Sequence, residues 1–166
     1  MRESEQTEFE WVFRSSYASV LRTTSLVLHD RGRAEEVTQD AFLRLYERWR
    51  SVTPVEHPEA WVRRVAVRAA VRTATRSRLR QAPPPEDEHP SWDDLPDVDL
   101  ARAVVSLAPQ QRAAVALHYL DDLSVEDVAH HLGVSTSTVK QHLFRARSHL
   151  AALLSESVEV TTDADR

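Results

Sequence analysis

The chain has 166 residues, eight prolines, two glycines and no cysteine, which allows one ordinary domain or two small ones and excludes disulfides and cysteine-ligated zinc. Hydrophobic residues make up 42% of it and aromatics 7%, with Ala, Leu, Val and Arg prominent, a balance that suits helices better than a turn-rich β-architecture. The net charge of −5 hides opposed blocks: residues 1–80 are net +4, residues 81–100 net −7, residues 101–150 net +1 and residues 151–166 net −3, so the acid lies mostly outside the stretches that read as folded.

No apolar run approaches the roughly 20 residues that span a bilayer. The opening "MRESEQTEFE" is too polar for a secretory signal. The expectation is a cytoplasmic protein without membrane insertion.

The first predicted helix starts at Thr7, which forms a capping-box pattern with Glu10, and carries apolar Phe9, Val12, Phe13, Val20, Leu21 and Leu28. Gly32 in "HDRGRAEE" marks a break. A second helix follows with Val37, Ala41, Leu45 and Trp49 four residues apart. "SVTPVEHPEA" holds two prolines and reads as a loop. The third helix starts near Pro58 and runs through "EAWVRRVAVRAAVRTATRSRLR". Along it Arg64, Arg68, Arg72 and Arg76 form one stripe, Arg63, Arg78 and Arg80 add to it, and no acid occurs between Trp61 and Arg80. Like charges at this spacing cost an isolated helix about 0.2–0.5 kcal/mol per pair. An ordinary solvated face mixes signs, so the stripe is predicted to meet a polyanion.

Residues 81–99, "QAPPPEDEHPSWDDLPDVD", hold five prolines and seven acids. Proline blocks helix and the charge opposes collapse, so this is predicted to be a flexible linker. Tethered beside two basic faces, it has two readings in the free protein: a segment that lies transiently over the Arg64–Arg76 stripe or the Lys140–Arg147 face, or a solvated spacer with affinity for neither.

Beyond it, a helix is predicted from Leu100 to Leu107 and another from Pro109 through "QQRAAVALHYL". Ser124 and Asp127 cap "VEDVAHHL", and Gly133 suits the left-handed residue that ends it. Ser135 caps the last helix, whose Val139, Leu143, Ala146, Leu150 and Leu153 make one buried stripe. Small Ala129, Gly133 four residues on, and apolar Val139 have the spacing of a helix-turn-helix, which presents the start of its second helix to the DNA major groove. Thr136, Ser137 and Thr138 with Lys140 and Gln141 suit base edges and phosphates there, while Arg145 and Arg147 suit the backbone.

These segments together resemble one family. "LSVEDVAHHLGVSTSTVKQHLFRARSHL", with "LAPQQRAAVALHYLDDLS" before it, is similar to the C-terminal DNA-binding region of the extracytoplasmic-function (ECF) sigma factors of bacterial RNA polymerase. "AEEVTQDAFLRLYERW" resembles that family's polymerase-binding helix, and "PEAWVRRVAVRAAVRTATRSRLR" its helix facing the downstream promoter element. The resemblance implies an all-α protein of two small helical domains on a flexible acidic Pro-rich linker. Residues 7–80 would be the region 2-like domain, 81–99 the linker, 100–154 the region 4-like helix-turn-helix domain, and 155–166 an acidic tail.

It implies that Val37, Gln39 and Asp40 bind core RNA polymerase. Residues 51–58 would be a loop that captures a flipped base, with Trp61 packed beneath it. The DNA contacts would come from Trp61, Arg64, Arg68, Arg72 and Arg76 at the downstream element. At the upstream element they would come from Thr136, Ser137, Thr138, Lys140, Gln141, Arg145 and Arg147. Promoter DNA and core RNA polymerase are the implied partners, with an anti-sigma factor as a further candidate and a monomer as the free state. One departure stands out: the family often has Asn where this chain has Arg68, and Asp where it has Arg72.

A conventional helix-turn-helix regulator with an N-terminal dimerisation or sensing domain explains the C-terminus equally well, but not "VTQDAF" or the arginine stripe. An enzyme is disfavoured. His118, His130, His131, His142 and His149 form no ligand set, because neighbours such as His130 and His131 diverge by about 100° on a helix. Surface histidines, no metal, no cofactor and no catalytic residue are expected.

Overall fold

The protein is described here by a computed structural model covering residues 2–80 and 98–163. Residues 81–97, most of the predicted linker, lie outside the described residues. All regular elements among those described are helical.

Helices α1 (Glu3–Leu28), α2 (Arg31–Val52) and α3 (Pro58–Leu79) form the N-terminal half. Helix α1 starts four residues before the predicted Thr7. The Arg2 amide donates to Glu5 Oε2 at 2.7 Å, while the Thr7 hydroxyl sits inside the helix and donates to the Glu3 carbonyl at 3.0 Å. Acidic Glu3 and Glu5 in the first turn also suit the positive end of the helix dipole. The break before α2 falls at His29, in the left-handed region at φ 51°, and at Asp30, whose carboxylate accepts from the Arg33 amide at 2.9 Å. Gly32, the predicted break, is inside the first turn of α2. An Asp N-cap supplies a hydrogen bond that glycine cannot, and it sets the boundary. Pro58 opens α3, where its missing N–H costs nothing.

The core of this half is Val12 and Val20 of α1, Ala41, Phe42, Leu45, Trp49 and Val52 of α2, and Val62 and Ala66 of α3. Aromatic edges brace it, Phe9 against Trp49 at 5.7 Å and Phe13 against Phe42 at 5.0 Å between ring centres.

The C-terminal half comprises α4 (Val98–Ser106), α5 (Pro109–Val115), α6 (Val125–Leu132) and α7 (Thr136–Asp163). The helix predicted through "ALHYL" changes winding. Residues Ala116–Leu120 form a π-helical turn, and the Asp121 amide reaches back to the Ala116 carbonyl at 3.2 Å. The predicted caps are present: the Asp127 amide donates to Ser124 Oγ at 3.0 Å, Gly133 is left-handed at φ 70°, and the Thr138 amide donates to Ser135 Oγ at 3.1 Å. Val139, Leu143 and Ala146 are buried, with Leu150 and Leu153 half-buried behind them. Helix α7 does not stop at residue 154 but runs on to Asp163.

The two halves pack on each other. One continuous core joins Val27 of α1 and Val67, Ala70, Val71 and Ala74 of α3 to Leu117, Val128, Leu132, Val139 and Leu143. A second patch sets Leu26 of α1 against Val104, Leu107, Ala116 and Ala146. Helix α3 therefore has two apolar faces. Val62 and Ala66 turn to α1 and α2, while the "VRAAVRTA" face turns to α5 and α6, where its small alanines allow close approach. Arg112 is drawn into this packing, 8% exposed, and donates to the Val105 carbonyl at 2.9 Å. Burial, with Arg78 nearby, lowers its pKa to about 10, so it stays charged at neutral pH.

Candidate nucleic-acid interface

Helix α7 carries the first cationic face. Its buried stripe fixes the rotation of the helix, leaving Thr136, Ser137, Lys140, Gln141, Arg145 and Arg147 exposed and Thr138 half-buried. Ser135 Oγ lies 2.9 Å from Ser137 Oγ and 2.8 Å from Thr138 Oγ1, so the cap orients both hydroxyls. Arg147 donates to the Tyr119 hydroxyl at 3.1 Å. Among the described residues, Lys140 and Arg145 enter no ion pair. A helix with hydroxyls, Lys and Gln at its start and arginines further along has the chemistry to read base edges and hold phosphates.

Helix α3 behaves differently. The predicted stripe is exposed at Arg72 and Arg76 but engaged at Arg64 and Arg68. Arg64 grips Glu56 with both terminal nitrogens, Nη1 to Oε1 and Nη2 to Oε2, the latter at 2.6 Å, and its Nη1 lies 2.8 Å from His130 Nε2. Arg68 donates from Nε to the His131 carbonyl at 2.7 Å and from Nη2 to the His130 carbonyl at 2.8 Å, closing the C-terminal end of α6. Burial, and then the charges of Arg64 and Arg72, lower the Arg68 pKa. A uniform exposed stripe is thus not what the fold presents. Residues 81–97 of the acidic linker, for which this stripe was one of two candidate faces, lie outside the described residues, and what covers Arg64 and Arg68 is α6 and Glu56.

Trp61 is half-buried against the N-terminal core, and in the turn before α3 Val55 is 81% exposed. On α2, Gln39 and Asp40 are exposed, and Asp40 pairs with Arg44 Nη2 at 2.8 Å. Val37 is half-buried at the rim of the shared core.

The sequence reading missed Asp121. Its carboxylate, 2% exposed, lies 3.4 Å from Arg63 Nε and 3.7 Å from Arg22 Nη2, and accepts from the Thr23 hydroxyl at 2.9 Å. Arg22 also donates to the Leu120 carbonyl at 3.2 Å. Two adjacent acids at the end of an apolar helix were the available signal, but periodicity does not predict the π-turn that aims the first of them inward.

The histidines are not all on the surface. His131 is 5% exposed, with Nδ1 2.8 Å from the Asp127 carbonyl and Nε2 buried without a partner. Burial, reinforced by the charges of Arg63, His130 and Arg64 against an opposing backbone bond, lowers its pKa. His142 is half-buried and shifted the same way by burial and then Arg145. Among the described residues no three His, Asp or Glu side chains are grouped to hold a metal ion. None of the described helices is long and apolar enough to cross a membrane.

Residues 12–80 match the Sigma-70 region 2 family and residues 97–150 match Sigma-70, region 4. The chain is 31% identical to the RNA polymerase sigma-E factor of Streptomyces coelicolor over 165 residues, covering 96% of this chain and 92% of that one. It is 31% identical to the ECF RNA polymerase sigma factor SigM of Mycobacterium tuberculosis over 150 residues, 88% of this chain and 76% of that one. Its fold is similar to that of the sigma factor RpoE, solved in complex with the anti-sigma factor NepR from Bartonella quintana. The TM-score is 0.69 at 20% identity, over 89% of this chain and 97% of that chain.

Proposed function

The chain belongs to the extracytoplasmic-function (ECF) sigma factors of bacterial RNA polymerase, and from that membership we propose how its surfaces divide the work. The family function is to bind core polymerase and direct promoter recognition and transcription initiation; a conventional helix-turn-helix regulator is not the favoured reading. Residues 7–80 are assigned to polymerase and the downstream promoter element, 81–99 to the linker, 100–154 to the upstream element and 155–166 to an acidic extension.

The carrying observation is the exposed cationic face of α7, displayed by a complete helix-turn-helix with both caps in place. Lys140, Gln141 and the Thr136–Thr138 hydroxyls read bases, while Arg145 and Arg147 hold phosphate. Arg72 and Arg76 are available to DNA in the structure as it stands; Trp61, Arg64 and Arg68 join them at the downstream element. Gln39 and Asp40, exposed polar residues beside the half-buried Val37, form the polymerase contact. Every assigned role is a binding role, so the protein acts without catalysis, metal or cofactor. It works in the cytoplasm as a monomer when free, and an anti-sigma factor is a further candidate partner.

The test is run-off transcription and core binding with purified core polymerase. Gln39→Ala with Asp40→Ala should weaken core binding at least tenfold at an unchanged melting temperature, because the exposed Asp40–Arg44 pair contributes less than about 1 kcal/mol. Unfolding of that variant, or normal core binding, overturns the α2 assignment. Arg145→Ala should bind core normally but lower promoter affinity about tenfold, with the salt slope reduced by about one. Unchanged affinity and slope overturn the α7 assignment.

A further inference from the structure

The π-turn at Ala116–Leu120 aims two side chains in opposite senses, and turns of this kind often mark functional positions. Asp121, just past it, sends its carboxylate inward to Arg22 of α1 and Arg63 of α3. Tyr119, within it, goes outward: it is half exposed, and its hydroxyl accepts from Arg147 Nη1 of α7 at 3.1 Å. The His118 ring, with Nδ1 2.8 Å from the Leu123 carbonyl, lies edge-on to the Tyr119 ring at 4.8 Å between centres, so the phenol is braced from its own turn.

What holds Arg147 differs in kind from what holds Arg63 and Arg64. Their partners Asp121 and Glu56 are anions, so a phosphate that takes either arginine must displace a full negative charge. Tyr119 is a neutral acceptor. It fixes the guanidinium and leaves the whole positive charge to an incoming anion. It also fixes a particular nitrogen. With Nη1 on the phenol, Nε and Nη2 make the side-on pair that gives two parallel bonds to one phosphate, the pair that Arg50 presents to Glu5 with both bonds at 3.1 Å. A long exposed side chain loses rotamer freedom when it binds, and one already held in place loses less.

We propose that Tyr119 is a positioning residue for DNA binding, setting the Arg147 guanidinium for a phosphate of the duplex that lies along α7. This rests on reading α7 as the DNA-facing helix, and it extends that surface to the turn that closes α5. Because the partner is the backbone, the contribution is the same for every sequence. Tyr119 acts only through Arg147, so the two residues work as one unit.

The test is a double-mutant cycle on the full chain, read by fluorescence anisotropy with a mixed-sequence DNA duplex over a range of salt. Tyr119→Phe keeps the ring and removes only the hydroxyl. It should leave the melting temperature unchanged and weaken duplex binding about threefold. Arg147→Ala should weaken binding about tenfold and reduce the salt slope by about one. In the Arg147→Ala background, Tyr119→Phe should change affinity less than about 1.5-fold, because nothing is left to position. Unchanged affinity in Tyr119→Phe beside a weakened Arg147→Ala removes the positioning role alone, and a lowered melting temperature in that case marks the bond as a structural tether of α7. Losses that multiply in the double variant also overturn it, since Tyr119 would then act without Arg147. Full affinity and slope in Arg147→Ala overturn the reading of Arg147 as a phosphate contact, and the role of Tyr119 falls with it.

Discussion

Helices α3 and α7 look alike in the sequence, each an apolar stripe backed by basic residues, yet the fold uses their charges in opposite ways. On α7 the basic side is left to solvent, because only one face of the helix is needed for packing. Helix α3 is sandwiched between its own half and the other, so Arg63, Arg64 and Arg68 are taken up by internal partners while Arg72 and Arg76 stay exposed. A row of like charges reports that anions are nearby. It does not say whether they belong to DNA or to the same chain.

The largest effect should come from breaking the packing that causes this difference. Leu117 is fully buried in the core that spans both halves, and Leu45 is fully buried in the core confined to the N-terminal half. Leu117→Ala should cost about 3 kcal/mol. Trp11, Trp49 and Trp61, three of the four tryptophans, sit in the N-terminal half, so their fluorescence should follow the same urea transition as the far-ultraviolet dichroism in both Leu117→Ala and Leu45→Ala. Separate transitions in Leu117→Ala, with tryptophan fluorescence unmoved, would show that the halves fold independently and that the shared core contributes little.

The caps at Ser124, Ser135 and Gly133 were legible in the sequence because each is a local arrangement of a few residues with its own signature. The α7 stripe was legible because leucine and valine stand out against a polar background. The second face of α3 was not. Ala70 and Ala74 are small enough to read as neutral helix formers, and only the finished fold shows that they allow another helix to approach. Asp121 was hidden for a related reason: its burial depends on a π-turn and on α1, about 98 residues away in the chain. Local signals also misled where two competed, as when Asp30 outweighed Gly32 and Glu5 outweighed Thr7.

A smaller effect sharpens the contrast within α3 itself. Arg68→Asn removes two charge-assisted hydrogen bonds to the end of α6 and should cost about 1–2 kcal/mol, since the group is only partly buried. Arg72→Ala with Arg76→Ala, on the exposed part of the same stripe, should change stability by less than about 0.5 kcal/mol. Equal destabilisation by the two variants, measured by urea titration, would mean that the α6 contact is no stronger than an ordinary surface interaction.

The smallest effect concerns pH, and His131 is the probe because it sits where α6 meets the arginines of α3. The groups facing it are Arg63 and Arg64 from α3 and His130 beside it, all acting with burial against a positive imidazole, while the Asp127 carbonyl alone favours one. The folded pKa is therefore below the ordinary value of about 6.5, and the unfolded chain binds the proton first. Stability from neutral His131 is fully present above pH 6.5 and declines as pH falls toward the depressed folded value. His142, half-buried beside Arg145, adds a loss of the same sign. Glu5, whose pKa is lowered chiefly by its bond to the Arg2 amide, titrates below this range and contributes little between pH 7.5 and 5.5. Cooling the midpoint by a few degrees over that interval is the expected behaviour, at about 2–4 °C per kcal/mol for a chain of this size. His131→Asn retains a donor near the Asp127 carbonyl but cannot be protonated, so its melting temperature should vary less with pH than the wild type's. An identical slope in the two proteins would place the acid sensitivity elsewhere and show that His131 is held against α3 too loosely to feel its charge.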